Sequence, residues 1–336
     1  MTKITNASLV NLNTFGIEAE AKLLIHYQTE NELVELIQSS VLQNEKVLHI
    51  GGGSNLLFLS NFDGIILHSE ISFISVKSET DNRVLIEVGA GVVWDDFVAF
   101  VVAKGWGGIE NLSLIPGEVG ASAIQNIGAY GVEVCDTIKE VHAIHLLSGE
   151  KHIFNTNECE YDYRESIFKK SLKGQFAITS VLFELTKKPK YKLDYQHLEE
   201  QVLKNGTLSL QNIRETIIAI RESKLPDPKV VGNAGSFFMN PVINRIQFDQ
   251  LISNYPEMPH YYTSPENEKI PAAWLIDQCG WKGKTKGRAG VHDKQALVLV
   301  NKGGATGAEI AQLASLIQQS VKDKYGIELI SEVNFI

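Results

Sequence analysis

The chain has 336 residues, 44% hydrophobic and 21% charged, enough for two domains with cores of their own, or three small ones, in an ordinary globular composition. Its 31 basic and 40 acidic residues leave a net charge of −9, which excludes a broad electrostatic footprint on nucleic acid. The three scattered cysteines (Cys135, Cys159, Cys279) exclude a disulfide framework, and the longest purely apolar run, Phe97–Ala103, is too short to span a bilayer.

Residues 1–15 read as polar and irregular, without the apolar core of a signal peptide, so the expectation is a cytoplasmic protein with reduced, buried thiols. Apolar residues at 33, 34, 36, 37, 41 and 42 predict a helix over Asn31–Leu42. Strands are predicted at Val47–Ile50, Ile65–His68, Ile71–Val76 and Val84–Gly89, followed by a helix over Trp94–Lys104 that Gly105 ends in the left-handed conformation. Gly89-Ala90-Gly91 falls short of a dinucleotide fingerprint, because Trp94 stands where the last glycine should permit close strand–helix approach, and it reads as a turn. Val141–Leu147 and Phe176–Leu185 predict central strands, and Lys187-Lys188-Pro189-Lys190 a boundary. A helix over Asn212–Ser223 follows, then one with Pro271 at its first position that Gly280 closes. Thr306 and Glu309 form a capping box for a last helix whose buried face is Ile310, Leu313, Ala314, Ile317 and Val321, and Ile327–Ile336 returns as a strand.

Two glycine-rich stretches stand out. Gly51-Gly52-Gly53-Ser54-Asn55 follows the buried strand Val47–Ile50. Gly107–Gly131 spaces its glycines through small and apolar residues, with no basic side chain and a Pro116-Gly117 turn. Successive backbone N–H groups in such segments form nests for anions, diphosphates above all, and two of them suggest a large phosphate-bearing cofactor.

Four further positions carry chemistry. Ser236, between Gly235 and Phe237-Phe238, sets a hydroxyl between small residues and apolar walls; it is either a proton donor to a desolvated carbon or a capping serine. Arg164 in YDYRESIF has the fork geometry that a carboxylate ligand requires, unless it only pairs at the surface with Asp162 or Glu165. Alternation puts Ile330 and Glu332 on one strand face, leaving Glu332 either turned to a partly buried site or on an exposed edge. Lys224 is either a point charge that can meet a diphosphate or a solvated surface residue. The nine histidines show no metal-ligand spacing, since His142 and His145 fall on opposite faces of a strand, and no metal is expected.

IGGGSNLLF and IPGEVGASAIQNIGAYG, with YDYRESIF, GNAGSFFMNP and PAAWLIDQCGWKG, resemble the UDP-N-acetylenolpyruvoylglucosamine reductase family from about residue 15 onward. Met239 and Glu118 depart from the family pattern, which usually has Lys or Arg and a small residue or Thr there. The resemblance implies an α+β protein: a two-part FAD-binding domain of the vanillyl-alcohol-oxidase (PCMH) type over 15–188, a tyrosine-containing connection over 189–206, and an α+β substrate-binding domain over 207–336 whose last strand returns toward the active site. It implies noncovalent FAD, reduced by NADPH, passing a hydride from N5 to C3 of the enolpyruvyl group of UDP-N-acetylglucosamine enolpyruvate, in a monomer without nucleic-acid or membrane partners. The product is UDP-N-acetylmuramate, a precursor of peptidoglycan. Gly51, Gly52, Gly53, Ser54, Asn55, Pro116, Gly117, Gly120, Asn126, Gly128 and Tyr130 would hold the cofactor. Tyr195, Lys224, Asn240, Tyr261 and Gln295 would hold the UDP-sugar, with Tyr191 and Tyr262 as rival aromatic contacts. Arg164 would grip the substrate carboxylate, Glu332 assist as charge gathers there, and Ser236 protonate C2. The rivals are an FAD-dependent sugar or alcohol oxidase of the same fold, for which GGGSN lacks a flavin-attaching histidine, and a non-catalytic flavin-binding module.

Overall fold

The computed structural model describes residues 1–195 and 197–336, which divide into two compact units that interleave along the chain. One comprises Met1–Ala7, Ala21–Gly52 and Asp63–Ser223; the other comprises Ser8–Glu20, Gly53–Phe62 and Lys224–Ile336.

In the first unit a four-stranded sheet orders its strands Thr2–Ser8, Glu20–Tyr27, Phe62–Ser69, Val47–Ile50. Val47–Ile50 runs parallel to Phe62–Ser69, with Val47 opposite Ile65. The N-terminal strand corrects the irregular reading of that segment: only Ala7 of its seven residues is buried, so no alternation marks it, and backbone pairing alone makes it a strand. The helix after Tyr27 covers Glu30–Gln38, capped by Thr29, and a separate 3-10 turn takes Ser40–Leu42. A second, antiparallel sheet orders Lys151–Asn155, Ile138–His145, Phe176–Thr186, Arg83–Gly89, Ile74–Glu79. The expected strand Ile71–Val76 begins later, at Ile74, because Gly89 and Gly91 pass within contact of the Ile71 and Ser69 carbonyls, where a Cβ would stand only 2.4 and 2.5 Å away. Trp94 fills the core between Phe97 and Phe183, with ring centroids 5.9 and 6.2 Å away, and donates its indole N–H to the Leu112 carbonyl at 2.9 Å. Each such aromatic pair adds about 0.5–1.5 kcal/mol beyond the area it buries. The helix it opens ends at Ala103, with Gly105 at φ +74°. Helices Leu198–Asn205 and Leu210–Lys224 pack through Leu198, Val202, Ile213 and Ile217, with Tyr130 and Tyr191 against them.

The second unit is built on a four-stranded sheet in the order Asn233–Ser236, Val298–Asn301, Ala289–Val291, Thr285–Lys286, with a three-stranded sheet Val242–Asn244, Asn267–Lys269, Tyr261–Ser264 beside it in sequence. Helix Gly307–Tyr325 carries the Thr306–Glu309 capping box and buries Ile310, Leu313, Ala314, Ile317 and Val321. Pro271 is the cap before helix Ala272–Gln278, one position earlier than expected. The C-terminal strand is far shorter than Ile327–Ile336: only Asn334–Phe335 pairs, in parallel with Leu56–Leu57. Gly232 lets this unit close on its own N-terminal segment, since a Cβ there would stand 2.1 Å from the Phe15 carbonyl oxygen. Cys159 is buried while Cys135 and Cys279 are only half-buried, and all three are free thiols. Burial pushes Cys135 and Cys159 up to about 11, so both are poor nucleophiles. Among the described residues no helix is long and apolar enough to cross a membrane.

Candidate active site

Within the first unit, Gly51 and Gly52 of the first glycine-rich stretch meet the second stretch. A Cβ on Gly52 would lie 3.8 Å from the Gly117 Cα, and one on Gly51 would lie 3.1 Å from a Glu118 carboxylate oxygen and 3.3 Å from the Ala121 Cβ. A side chain at 51 would press on Glu118 and Ala121, whereas one at 52 would meet the second loop at ordinary contact distance. The second stretch is not all loop: residues Val119–Gln125 form a short helix, begun when the Val119 and Gly120 N–H groups pair with the Val92 and Ala90 carbonyls at 2.9 Å each. Gly120 is required there, because a Cβ would come within 2.8 Å of the Ala90 Cβ. Pro116-Gly117 enters the helix with Gly117 at φ +117°.

Asn126 ends that helix in the left-handed conformation, at φ +45°. Its side chain is committed to the fold, donating to Glu133 and the Asp162 carbonyl and accepting from the Cys135 N–H. Arg164 reaches back to this turn, donating to the Gly128 and Asn126 carbonyls. Glu133 lies 3.6 Å from it as an ion partner, and the backbones of Asp162 and Glu165 on either side of the turn pair with each other. Gly128 makes room for the guanidinium: a Cβ there would sit 2.7 Å from Arg164 Nη1. Arg164 itself has φ +59° and Tyr130 φ +49°, costly for residues with a side chain and typical of sites where neighbours over-determine the backbone. The Tyr195 ring meets Tyr130 edge-on at 5.7 Å.

Arg221 was not singled out from sequence. It lies on helix Leu210–Lys224 four residues after the buried Ile217, so its spacing marks it as a cation on the apolar face. Its Nε is buried without a hydrogen-bond partner among the described residues. Burial lowers its pKa against the pull of Tyr130 and Asp95. A half-buried guanidinium whose Nε is an orphaned donor is suited to an anionic ligand, as are glycine cradles that exclude side chains. Both features fit a flavin dinucleotide.

In the second unit, Ser236 and Glu332 lie on hydrogen-bonded segments. The buried Asn233 amide donates to the Pro226 and Val231 carbonyls and accepts from the Gly235 N–H, forming the turn that projects the exposed Ser236. Phe237 and Phe238, 0% and 1% exposed, anchor the next two residues. The Glu332 N–H donates to the Phe237 carbonyl at 2.9 Å and the Met239 N–H to the Ile330 carbonyl at 2.9 Å. Asn55, the last residue of the first glycine-rich stretch, donates its side-chain amide to the Glu332 carbonyl at 3.1 Å. Glu332 is half-buried, between the two readings of its face, while Ile330 is 66% exposed. Gln295 sits three residues before Val298, the cross-strand partner of Ser236. Asn240 accepts from the Ala272 N–H at 2.9 Å and so caps a helix. Tyr261 lies on the three-stranded sheet, and Lys224 is exposed at the end of its helix.

The fold also brings together titratable groups that spacing could not pair. His26, His68 and Glu70 converge, and His68 Nε2 meets Glu118 Oε1 at 2.9 Å, so the Glu118 that departs from the family pattern has a partner.

These features define a flavin-binding α+β protein with a separate C-terminal domain. A family model described as an FAD binding domain matches residues 21–153, and one described as the C-terminal domain of UDP-N-acetylenolpyruvoylglucosamine reductase matches residues 227–336. The chain belongs to the UDP-N-acetylenolpyruvoylglucosamine reductase family. It is 53% identical to the reductase of that name from Bacteroides fragilis over 98% of both chains, and 49% identical to that from Porphyromonas gingivalis over 96% of both. The fold is similar to the crystal structure of UDP-N-acetylenolpyruvylglucosamine reductase from Thermus caldophilus, with TM-score 0.69, 22% identity, and coverage of 99% of this chain and 98% of that one.

Proposed function

We propose that this protein reduces UDP-N-acetylglucosamine enolpyruvate to UDP-N-acetylmuramate, taking electrons from NADPH through noncovalent FAD, in peptidoglycan precursor synthesis. Whole-length similarity to reductases of that name carries the reading. Bound FAD supplies the two-electron relay between NADPH and C3 of the enolpyruvyl group. Gly51, Gly52, Gly53, Ser54, Asn55, Pro116, Gly117 and Gly120 would cradle its diphosphate, and Asn126, Gly128 and Tyr130 would shape the wall around the rest. Arg221 adds a half-buried positive charge for an anionic part of the cofactor. Arg164, pre-oriented by the Gly128 and Asn126 carbonyls, binds the substrate carboxylate and stabilises the charge that collects there. Glu332 would assist as that charge gathers, and the Ser236 hydroxyl would deliver the proton to C2. Tyr195, Lys224, Asn240, Tyr261 and Gln295 hold the UDP-sugar.

The oxidase reading is disfavoured by His49, the histidine nearest in sequence to the first glycine-rich stretch. It is half-buried on the strand before that stretch, 2.6 Å from the Tyr27 hydroxyl, and burial pushes its pKa down to about 4. The function further implies a cytoplasmic monomer with no nucleic-acid or membrane partner. Purified protein should be yellow, should release all of its flavin as FAD on acid treatment, and should oxidise NADPH beyond one equivalent of its flavin only when the enolpyruvyl substrate is present. Covalently retained flavin with rapid oxygen consumption would favour the oxidase; colourless protein that takes up no FAD would refute both.

A further inference from the structure

His26 stands on strand Glu20–Tyr27 and His68 on its neighbour Phe62–Ser69. His26 Nδ1 lies 3.0 Å from His68 Nδ1 and 3.2 Å from Glu70 Oε1, and one donor atom from each residue falls within 4.8 Å of the others. The imidazoles are 16% and 13% exposed, while Glu70 is 40% exposed, so the cluster has a protein side and an open side. Glu70 Oε2 accepts from Gln28 at 3.2 Å, which fixes the carboxylate.

The hydrogen-bonding roles of this group leave a gap. Glu118 accepts at 2.9 Å from His68 Nε2, which puts the proton of a neutral His68 on that nitrogen and a lone pair on Nδ1. Glu70 Oε1 is a second acceptor aimed at the same His26 nitrogen. A lone His26 proton would have to be shared between two acceptors, whereas a cation among the three atoms satisfies all of them at once.

The spacing also suits a specific metal. Ligand atoms ~2.0–2.1 Å from zinc at tetrahedral angles lie about 3.3 Å from one another. The observed 3.0 and 3.2 Å need to open by only a few tenths of an ångström. Two imidazoles and one carboxylate suit zinc or a similar divalent transition metal, with the fourth position left to water on the open side. Glu118 completes a carboxylate–histidine–metal arrangement, fixing the ring of a ligand through its other nitrogen.

We propose that His26, His68 and Glu70 form a divalent transition-metal site, of which zinc is the expected occupant, with Glu118 positioning His68. The ion would tie two strands of the four-stranded sheet, through Glu118, to the start of the helix in the second glycine-rich stretch. The site stands on these side chains alone and does not depend on which substrate the protein reduces.

Calorimetric titration of untagged, chelator-treated, flavin-loaded protein with Zn²⁺ tests it, and Co²⁺ serves as a spectroscopic probe through d–d bands to the red of the flavin absorption. The expected result is one ion per chain. Glu118→Gln should weaken binding about 10–100-fold, and His26→Gln or Glu70→Gln by more than that. His197→Gln, at a side chain 80% exposed, should change nothing. Flavin content and thermal midpoint in metal-free buffer confirm that each variant is folded. The proposal fails if wild-type protein takes up no stoichiometric Zn²⁺ or Co²⁺, or if His26→Gln and Glu70→Gln bind as tightly as wild type. Undiminished binding by Glu118→Gln would remove Glu118 from the site.

Discussion

Replacing Ser236 by Ala separates a proton donor from a structural serine. The surrounding backbone does not depend on the hydroxyl: Ser236 pairs with Val298, the Phe237 N–H donates to the Leu297 carbonyl at 2.8 Å, and the Asn233 side chain holds the turn. Because the residue is exposed, its loss should cost no more than ~0.5 kcal/mol of stability. Protonation of C2 should suffer far more, by the roughly 10²–10⁴-fold that a lost general acid costs, or about 3–5 kcal/mol in the barrier. Substrate binding should weaken by ~1 kcal/mol at most, since water can replace a lost hydroxyl contact. Stopped-flow absorbance of the flavin reads the two half-reactions apart. Reduction by NADPH, which involves no carbon protonation, should keep its rate, while reoxidation by the enolpyruvyl substrate should slow. Equal slowing of both halves, with unchanged stability, would show that Ser236 is not the acid.

Two further outcomes follow from the geometry. Gly128→Ala places a methyl 2.7 Å from Arg164 Nη1 and 3.0 Å from the Val132 carbonyl oxygen, so it should cost about 1–3 kcal/mol in urea unfolding and raise the Kd for substrate by displacing the guanidinium; unchanged affinity would separate Arg164 from the carboxylate. Asp95 forms a two-bond pair with Arg214, at 2.6 and 2.8 Å; burial raises its pKa, but the Arg214 and Leu114 hydrogen bonds outweigh it and leave the carboxyl below its ordinary value. A depressed folded-state pKa gives stability that is fully present above the unfolded value of about 3.9 and lost as pH falls through the folded one. Asp95→Asn should therefore cost ~2 kcal/mol at pH 7, and the gap from wild type should narrow in acid; a gap independent of pH would refute the linkage.

The sequence was legible where a local rule leaves one solution. The glycine-rich stretches, the Thr306–Glu309 box and the Trp94 helix follow from backbone sterics or capping, and each lies close to its expected place. Thr2–Ser8 was missed because an almost wholly exposed strand has no burial pattern to read. The short helix Val119–Gln125 was hidden by the glycines around it. The interleaving of the units was also hidden: residues 8–20 join residues 224–336 through contacts such as the Asn301 amide to the Phe15 carbonyl, 286 positions apart. Arg221 was the readable omission, since a cation at i+4 from Ile217 on a buried helix face is a sequence-level signal.

Glu118 shows how a local departure acquires a meaning only in three dimensions. Along the chain it is an acidic residue in a stretch otherwise suited to anions, which looks like a defect. In the fold it takes a hydrogen bond from His68, 50 positions away, while its other oxygen lies against the Gly51 position. A carboxylate beside an anion cradle is tolerable when its charge is engaged elsewhere, and a hydrogen bond from an imidazole bound to a divalent ion would engage it more strongly than one from a neutral ring. The unusual residue in the loop and the histidine pair on the sheet are thus parts of one arrangement. The family pattern offers the small side chain as the ordinary solution, and this chain pairs its glutamate with His68 instead.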